Sequence, residues 1–358
     1  MGRGDIVIGV VWEESVEASL FDEGVEMAIS ELNERSVLGR KIKPICYYAH
    51  GEDAGQRWST DKVRRFVNNY DIVAVVGHAS SKTAIRASVA YEYNGVVFIF
   101  PGPCSPNLTS HGFKYVFRNI PPAVVTGRRL ADAGLAMGFT RILIVDDSSE
   151  YGKALAEAFR ERATSLGVEV IRGRSYFPLQ TSLDFRLLID NIKGFKFDAI
   201  FLGGSAPLAA YFIKEARTMG VTAPFIGGDG LDSNLLWEIA GEAAEGTIVA
   251  TMFNSTLSDP LLQTFNKNFY IRFKEYPDTW AAQGYDALMV LAFAFEKSQS
   301  TVPLVVSSTL RFIENWHGVA GSYSFTQDGN IVGRPISFKV LRRGRFEYLN
   351  QLMDLKPQ

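Results

Sequence analysis

The sequence predicts an α/β protein built from two successive doubly wound, Rossmann-like parallel-sheet units. Three observations carry this. Short, continuously apolar runs alternate with stretches of helical periodicity, the pattern of a parallel sheet covered on both faces. The alternation breaks at Arg118-Asn119-Ile120-Pro121-Pro122 and then starts again; paired prolines suit a stiff extended crossover. The length, 358 residues, is about two domains at roughly 150 residues each.

In the first unit the strand-like runs are 6–11, 42–48, 72–77 and 96–100. Residues 21–33 lie between the first two and place Phe21, Val25, Ala28 and Leu32 on one helical face. Residues 58–68, with Val63 and Phe66 among charges, and residues 82–93 supply the next two helices. In the second unit, 141–145, 168–171, 198–202, 223–226 and 246–251 read as strands, with helices at 154–166, 185–192 and 208–219 between them. Gly167, Gly194 and Gly220 stand where those helices should stop, since glycine accepts the left-handed conformation that closes a helix. Beyond Thr251 the chain reads as loop until a long helix at 279–297, and it finishes in short strands at 321–325, 336–341 and 346–349.

Composition excludes several functions. Hydrophobic residues make up 47% and charged residues 21%, so folding needs neither disulfides nor metals. A formal net charge of −2 offers no basic excess to nucleic acid or acidic lipid. Two cysteines, Cys46 and Cys104, make no disulfide framework. None of His50, His78, His111 and His317 has a zinc-ligand spacing, so no metal site is expected. No apolar run reaches the ~18 residues of a membrane span, and no signal peptide is visible. Met1-Gly2-Arg3-Gly4 reads as a new start on a trimmed mature chain, with a natural cytosolic start as the alternative.

Catalytic signatures are missing. There is no Gly-x-x-x-x-Gly-Lys-Ser/Thr loop and no Gly-x-Ser-x-Gly elbow. The first strand ends in Val11-Trp12-Glu13-Glu14, without the glycine-rich turn of a dinucleotide site. Asp146 and Asp147 are adjacent, so as strand residues they face opposite sides and make a poor acid–base pair. His78 follows a strand without an evident nucleophile and reads as structural. No enzyme activity and no cofactor are expected.

A series of motifs then carries a resemblance: Ala28-Ile29-Ser30-Glu31-Leu32-Asn33 with Leu38-Gly39-Arg40-Lys41-Ile42; Gly77-His78-Ala79-Ser80-Ser81; Pro106-Asn107-Leu108-Thr109 with Tyr115-Val116-Phe117-Arg118; Glu150-Tyr151-Gly152; Ile226-Gly227-Gly228-Asp229-Gly230; the stretch from Ile239-Ala240-Gly241-Glu242 to Gly246; and Gly284-Tyr285-Asp286-Ala287-Leu288. In this order and spacing, over nearly the whole chain, they resemble the type I periplasmic binding proteins of the leucine/isoleucine/valine group, which serve ABC transporters. The resemblance implies lobe 1 from 1–120 plus 252–326, lobe 2 from 121–251 plus 327–358, a three-strand hinge, and an amino acid or related small carboxylate held between the lobes by closure. It implies an exported chain, in the periplasm or outside the cell, whose partners are the solute and a membrane permease. A monomer is the default. The alternative on the same architecture is a ligand-sensing regulator or receptor domain, since fold does not settle function. An export signal or a membrane span on the full-length product would separate the two.

The expected site follows from the carboxyl ends of parallel strands, where open α/β sheets bind ligands, and from helix N-termini, which favour anions. Ser80, Ser81 and Thr83 open the helix after the third strand and suit a carboxylate; helix capping is the competing role. Gly102 and Cys104 follow the fourth strand, and Cys104 stands where the family usually carries a threonine hydroxyl. A thiol is a weaker donor, and a small buried core residue is the competing role. Tyr151 matches the family's lobe-two tyrosine that packs on the ligand, with core packing as the competing role. Ser205 stands where a tyrosine is common and leaves extra room. Asp229 matches the acidic residue that holds the α-ammonium, as the shorter aspartate rather than glutamate; an ordinary turn aspartate is the competing role. Trp12, after the first strand, and Trp280, where the family has an aromatic, are candidate walls, with core packing as the alternative. The departures at Cys104, Ser205 and Asp229 leave the solute unnamed.

Overall fold

The computed structural model describes residues 4–13, 19–49, 60–102, 105–173 and 182–349. The chain divides into two compact units, one of Met1–Pro121 with Phe253–Pro335 and one of Pro122–Met252 with Ile336–Gln358. It therefore passes three times from one unit to the other. Residues 327–335 belong with the first unit because their short strand still pairs there.

The first unit begins with β1 (Ile6–Glu13), α1 (Phe21–Arg35), β2 (Ile42–Ala49), α2 (Thr60–Asn69), β3 (Ala74–Gly77), α3 (Ser81–Tyr93), β4 (Val97–Phe100) and β5 (Val116–Arg118). The five strands form one parallel sheet in the order β2-β1-β3-β4-β5. Every residue of β3, β4 and β5 is buried, which is why these segments read as unbroken apolar runs. The four residues expected on one face of α1 are all buried. β3 is shorter than the expected 72–77 because the Ile72 N–H closes the end of α2 on the Val67 carbonyl at 3.3 Å. Trp58, the expected first residue of α2, lies outside the described residues. β5 takes Arg118 out of the anticipated crossover.

In the second unit follow α4 (Ala123–Ala136), β6 (Arg141–Asp146), α5 (Glu150–Ser165), β7 (Glu169–Arg172), α6 (Ser182–Ile192), β8 (Ala199–Gly203), α7 (Ala206–Thr218), β9 (Phe225–Gly227), α8 (Leu235–Ala240) and β10 (Ile248–Thr251). Pro122 leads directly into α4, a helix the sequence reading omits. Its buried face is Ala123, Thr126, Gly127, Leu130, Ala131, Ala133 and Gly134; small residues give the right spacing but little hydrophobic signal. The parallel order is β7-β6-β8-β9-β10. Leu143, Val145, Ile200, Leu202, Phe212 and Phe225 are among the residues of the unit's core cluster. Gly167 and Gly220 adopt the positive φ expected of helix stops, whereas Gly194 does not.

Where a loop was expected after Thr251, the chain forms α9 (Pro260–Phe273). Asp259 caps it, accepting from the Leu262 N–H at 3.0 Å, and Leu262, Phe265 and Phe269 bury its inner face. α10 (Thr279–Ser298), α11 (Pro303–Arg311) and an antiparallel sheet of β11 (Trp316–Gly318), β12 (Gly321–Phe325) and β13 (Ile331–Val332) complete the first unit. A buried polar hub ties this returning segment to the N-terminal part. Arg334 reaches Asp286 of α10 at 3.4 Å, the Gln283 side chain at 3.0 Å and the Asn119 carbonyl at 3.2 Å. The last passage adds β14 (Ser337–Arg342) and β15 (Arg345–Tyr348) to the second sheet, β14 antiparallel to β10. Among the described residues, no helix is long and apolar enough to cross a membrane.

Candidate functional site

Both parallel sheets share one topology. The first strand of each has its next strand in sequence on one side and the third on the other, so the strand order reverses between β1 and β3 in one unit and between β6 and β8 in the other. Such a switch point opens a crevice at the carboxyl ends of the strands, because the helices that follow depart to opposite faces. The candidate residues fall into two groups accordingly.

In the first unit, the turn after β3 lies against the end of β1. The His78 N–H donates to the Val11 carbonyl at 2.9 Å. Gly77 has φ +143°, and a Cβ there would sit 1.9 Å from the Val11 oxygen, so only glycine permits the approach. His78 itself is fully buried and its Nε2 is 3.1 Å from the Tyr91 hydroxyl, which is a structural placement. Ser80 caps α3, its Oγ accepting from the Thr83 N–H at 3.3 Å. The Thr83 hydroxyl donates to the Ser80 carbonyl at 3.0 Å and lies 2.9 Å from Ser80 Oγ. Ser81 accepts from the Ser105 N–H at 3.0 Å and so ties the loop after β4 to the start of α3. Gly102, in that loop, is close enough that a Cβ would stand 3.1 Å from the His78 carbonyl. The structure thus brings Ser80, Ser81, Thr83 and Gly102 into one cluster and uses the Ser80 and Ser81 hydroxyls in capping and bracing. Hydroxyl oxygens keep further acceptor and donor capacity after one bond. Cys104 lies outside the described residues.

Trp12 and Trp280 form a second cluster in the same unit. Trp12 stacks on Phe21 with ring centroids 3.8 Å apart and planes at 10°, and Trp280 tilts against it at 6.3 Å. The Trp12 indole N–H donates to Ser19 Oγ at 3.1 Å. Trp280 is held in the first turn of α10 by the cap Asp278, which accepts from the Ala281 N–H at 2.7 Å and also from the Leu20 N–H at 3.1 Å. Both indoles are mostly buried. Phe21 was read from the sequence only as a core position, although it completes this aromatic group.

In the second unit, Tyr151, Ser205 and Asp229 meet at the ends of β6, β8 and β9. Asp147 sets the geometry first. Its Oδ1 accepts from the Ser149 N–H at 3.0 Å and the Ser149 hydroxyl at 2.5 Å, and Ser149 caps α5 through the Gly152 N–H at 2.9 Å. That aims Tyr151, in the first turn, across to the loop after β9. Its hydroxyl donates to Asp229 Oδ1 at 2.7 Å and accepts from the Gly230 N–H at 3.1 Å. A Cβ on Gly228 would sit 2.4 Å from the Tyr151 oxygen; one on Gly230 would meet the Gly204 carbonyl at 2.7 Å and Ser205 Oγ at 3.3 Å. The two glycines that make Asp229 look like a turn residue are therefore what let three loops close together. Ser205 occupies the cap position of α7 without a side-chain cap bond and is exposed.

Burial dominates the electrostatics of this group. It pushes the Asp229 carboxyl up to about 6, against the pull of the Tyr151 hydrogen bond, and raises the Asp147 carboxyl. It also holds the Tyr151 phenol well above its ordinary value, with the Asp229 charge adding to the effect. Nearby Asp232 is answered by Lys339 at 3.0 Å to each oxygen. Among the described residues, no cation lies within ion-pair distance of Asp229 in its unit. A carboxylate so placed favours an incoming cation, and an ammonium group offers three donors to the carboxylate and phenol oxygens. Asp147 escaped the sequence reading as a site-building residue, because it was weighed only as half of an acid–base pair. Among the described residues, no cluster of three His, Cys, Asp or Glu side chains could hold a metal ion.

Comparison with known proteins bears on this arrangement. A family model described as periplasmic binding protein matches residues 6–344. An ABC transporter substrate-binding protein of Desulfitobacterium hafniense, solved in complex with Leu, is 33% identical with a TM-score of 0.84, over 96% of this chain and all of that one. A leucine binding protein, LivK, of Thermotoga maritima is 25% identical with a TM-score of 0.87, over 96% and 97% of the two chains. Leu/Ile/Val-binding protein homolog 2 of Brucella abortus is 27% identical over 95% of this chain and 91% of its own.

Proposed function

Because the chain belongs to the periplasmic binding protein family, we propose that it is the extracytoplasmic solute-binding component of an ABC transporter, taking an amino acid or related small carboxylate. The observation that carries this reading is Asp229. A carboxylate buried to 3% exposure, bonded to Tyr151 and without a cation partner among the described residues is costly for a fold to keep. A ligand ammonium removes that cost. In the first unit the start of α3 suits a ligand carboxylate, because Ser80, Ser81 and Thr83 and the helix dipole favour an anion there, with Gly102 beside it. Trp12 and Trp280 give the apolar wall. Ser205, small and exposed, leaves room for the ligand side chain at the second unit.

The ligand shifts an existing balance of states towards the one that it binds best. In this reading the protein holds its guest unchanged and performs no chemistry on it, as the solute-binding family does. It works as a monomer outside the cytoplasm and hands the solute to a membrane permease; nucleic acid is no partner.

Titration calorimetry and tryptophan fluorescence with leucine, isoleucine, valine, other amino acids and carboxylates lacking an amine test this. An α-amino acid should bind, change the fluorescence and lose at least tenfold in affinity when Asp229→Asn is made. Binding of an amine-free carboxylate, with the Asn variant unaffected, would remove Asp229 and the ammonium from the reading.

A further inference from the structure

The second unit carries a basic cavity away from the strand ends. Along the seam where α4 packs on α5, residues from both helices line a space of about 410 Å³. Three of them are arginines, Arg128, Arg129 and Arg162, and two are acids, Asp132 and Glu161, which leaves one positive charge in excess. The acids do not satisfy the arginines evenly. Asp132 is bound to Arg162, its Oδ1 accepting from Nε at 2.7 Å. Its other oxygen lies 4.0 Å from Arg129 Nη1, too far for a hydrogen bond. That Nη1 is buried and has no hydrogen-bond partner among the described residues.

The Arg129 side chain keeps only 12% of its exposure. Burial draws its guanidinium below the ordinary arginine range, and Asp132 only partly opposes this. A desolvated guanidinium with an unused donor is unfavourable unless an acceptor arrives. Arg128, one residue earlier and exposed, adds a second fork at the rim. Guanidinium groups match the spacing of two oxygens on one centre, in a carboxylate or a phosphate alike.

The geometry points to an oxyanion site at the α4–α5 seam, in which Arg129 and Arg128 share the oxygens of a small phosphate or carboxylate group. It is separate from the amino-acid site and stands whether or not that reading holds. Asp132 orients Arg162 through its Oδ1.

Calorimetric titration of the intact, dialysed chain with inorganic phosphate and, separately, with acetate tests the site, with ionic strength held constant by sodium chloride. Saturable binding of either anion is the expected result. Phosphate alone would identify a dianionic phosphoryl ligand; acetate alone would identify a carboxylate. Arg129→Gln should weaken that binding at least tenfold while the melting curve stays cooperative. If Arg129→Gln does not fold, the exposed Arg128→Gln replaces it and should weaken binding several-fold. No saturable heat with either anion, or unchanged affinity in the folded variant, overturns the proposal.

Discussion

Replacing Asp229 by asparagine should stabilise the empty protein while destroying much of its affinity, and pH separates the two effects. Burial lifts the carboxyl from 3.8 to about 6. Each unit of difference between folded and unfolded states is worth 1.36 kcal/mol, so the ionised form costs the fold about 3 kcal/mol at pH 8. The sign follows from linkage. With the folded value above the unfolded one, this group's contribution is fully favourable below pH 3.8, fades as pH rises through 6, and is lost above it. Asparagine cannot ionise, and its oxygen can still accept from the Tyr151 hydroxyl. The variant should therefore exceed the ligand-free wild type by up to about 3 kcal/mol at pH 8, with the gap closing towards pH 4. Urea denaturation of both proteins between pH 4 and pH 8, after exhaustive dialysis, measures it. An Asn variant less stable than wild type at pH 8, or a gap that does not depend on pH, would refute the electrostatic account of this site.

If Asp229 meets the ligand ammonium as proposed, binding should release protons. An ammonium beside Asp229 draws its value back down, so calorimetry near pH 6 should show binding heats that depend on the ionisation enthalpy of the buffer, and near pH 8 they should not. Tyr151→Phe removes the hydrogen bond that opposes burial at Asp229; it should raise that carboxyl further and weaken ligand binding about tenfold at pH 7, at a cost of ~1.4 kcal/mol. Away from the site, Asp286→Ala strands the Arg334 guanidinium, whose partners lie in a hub where both side chains are at most 1% exposed. Breaking such a pair costs about 3–5 kcal/mol, and thermal unfolding should show it as a large loss of melting temperature.

The buried parallel strands were legible because the signal is local. β1, β3, β4 and β8 need apolar residues on both faces, so their composition betrays them. α4 and α9 escaped for opposite reasons: α4 buries alanines and glycines that look neutral, while α9 interleaves asparagine, lysine and aromatics around three buried anchors. Most of the candidate site residues were legible as positions just after strand ends. Their roles were less so. Ser80, read as a ligand contact with capping as its rival, does cap α3, and Asp147, set aside as half of a failed pair, anchors the turn that aims Tyr151.

Periodicity, prolines and motif order by themselves determined an α/β protein of two doubly wound units and marked the loops that bear its candidate site. Only the tertiary structure decided that Asp229 is buried under Tyr151 without a counterion among the described residues, that Arg334 answers Asp286 across 48 positions, and that Arg129 keeps a donor with no partner among those residues. Strand and helix patterns repeat within a few residues of chain. Desolvation and charge pairing instead depend on which distant segments exclude water together, and no local pattern encodes that.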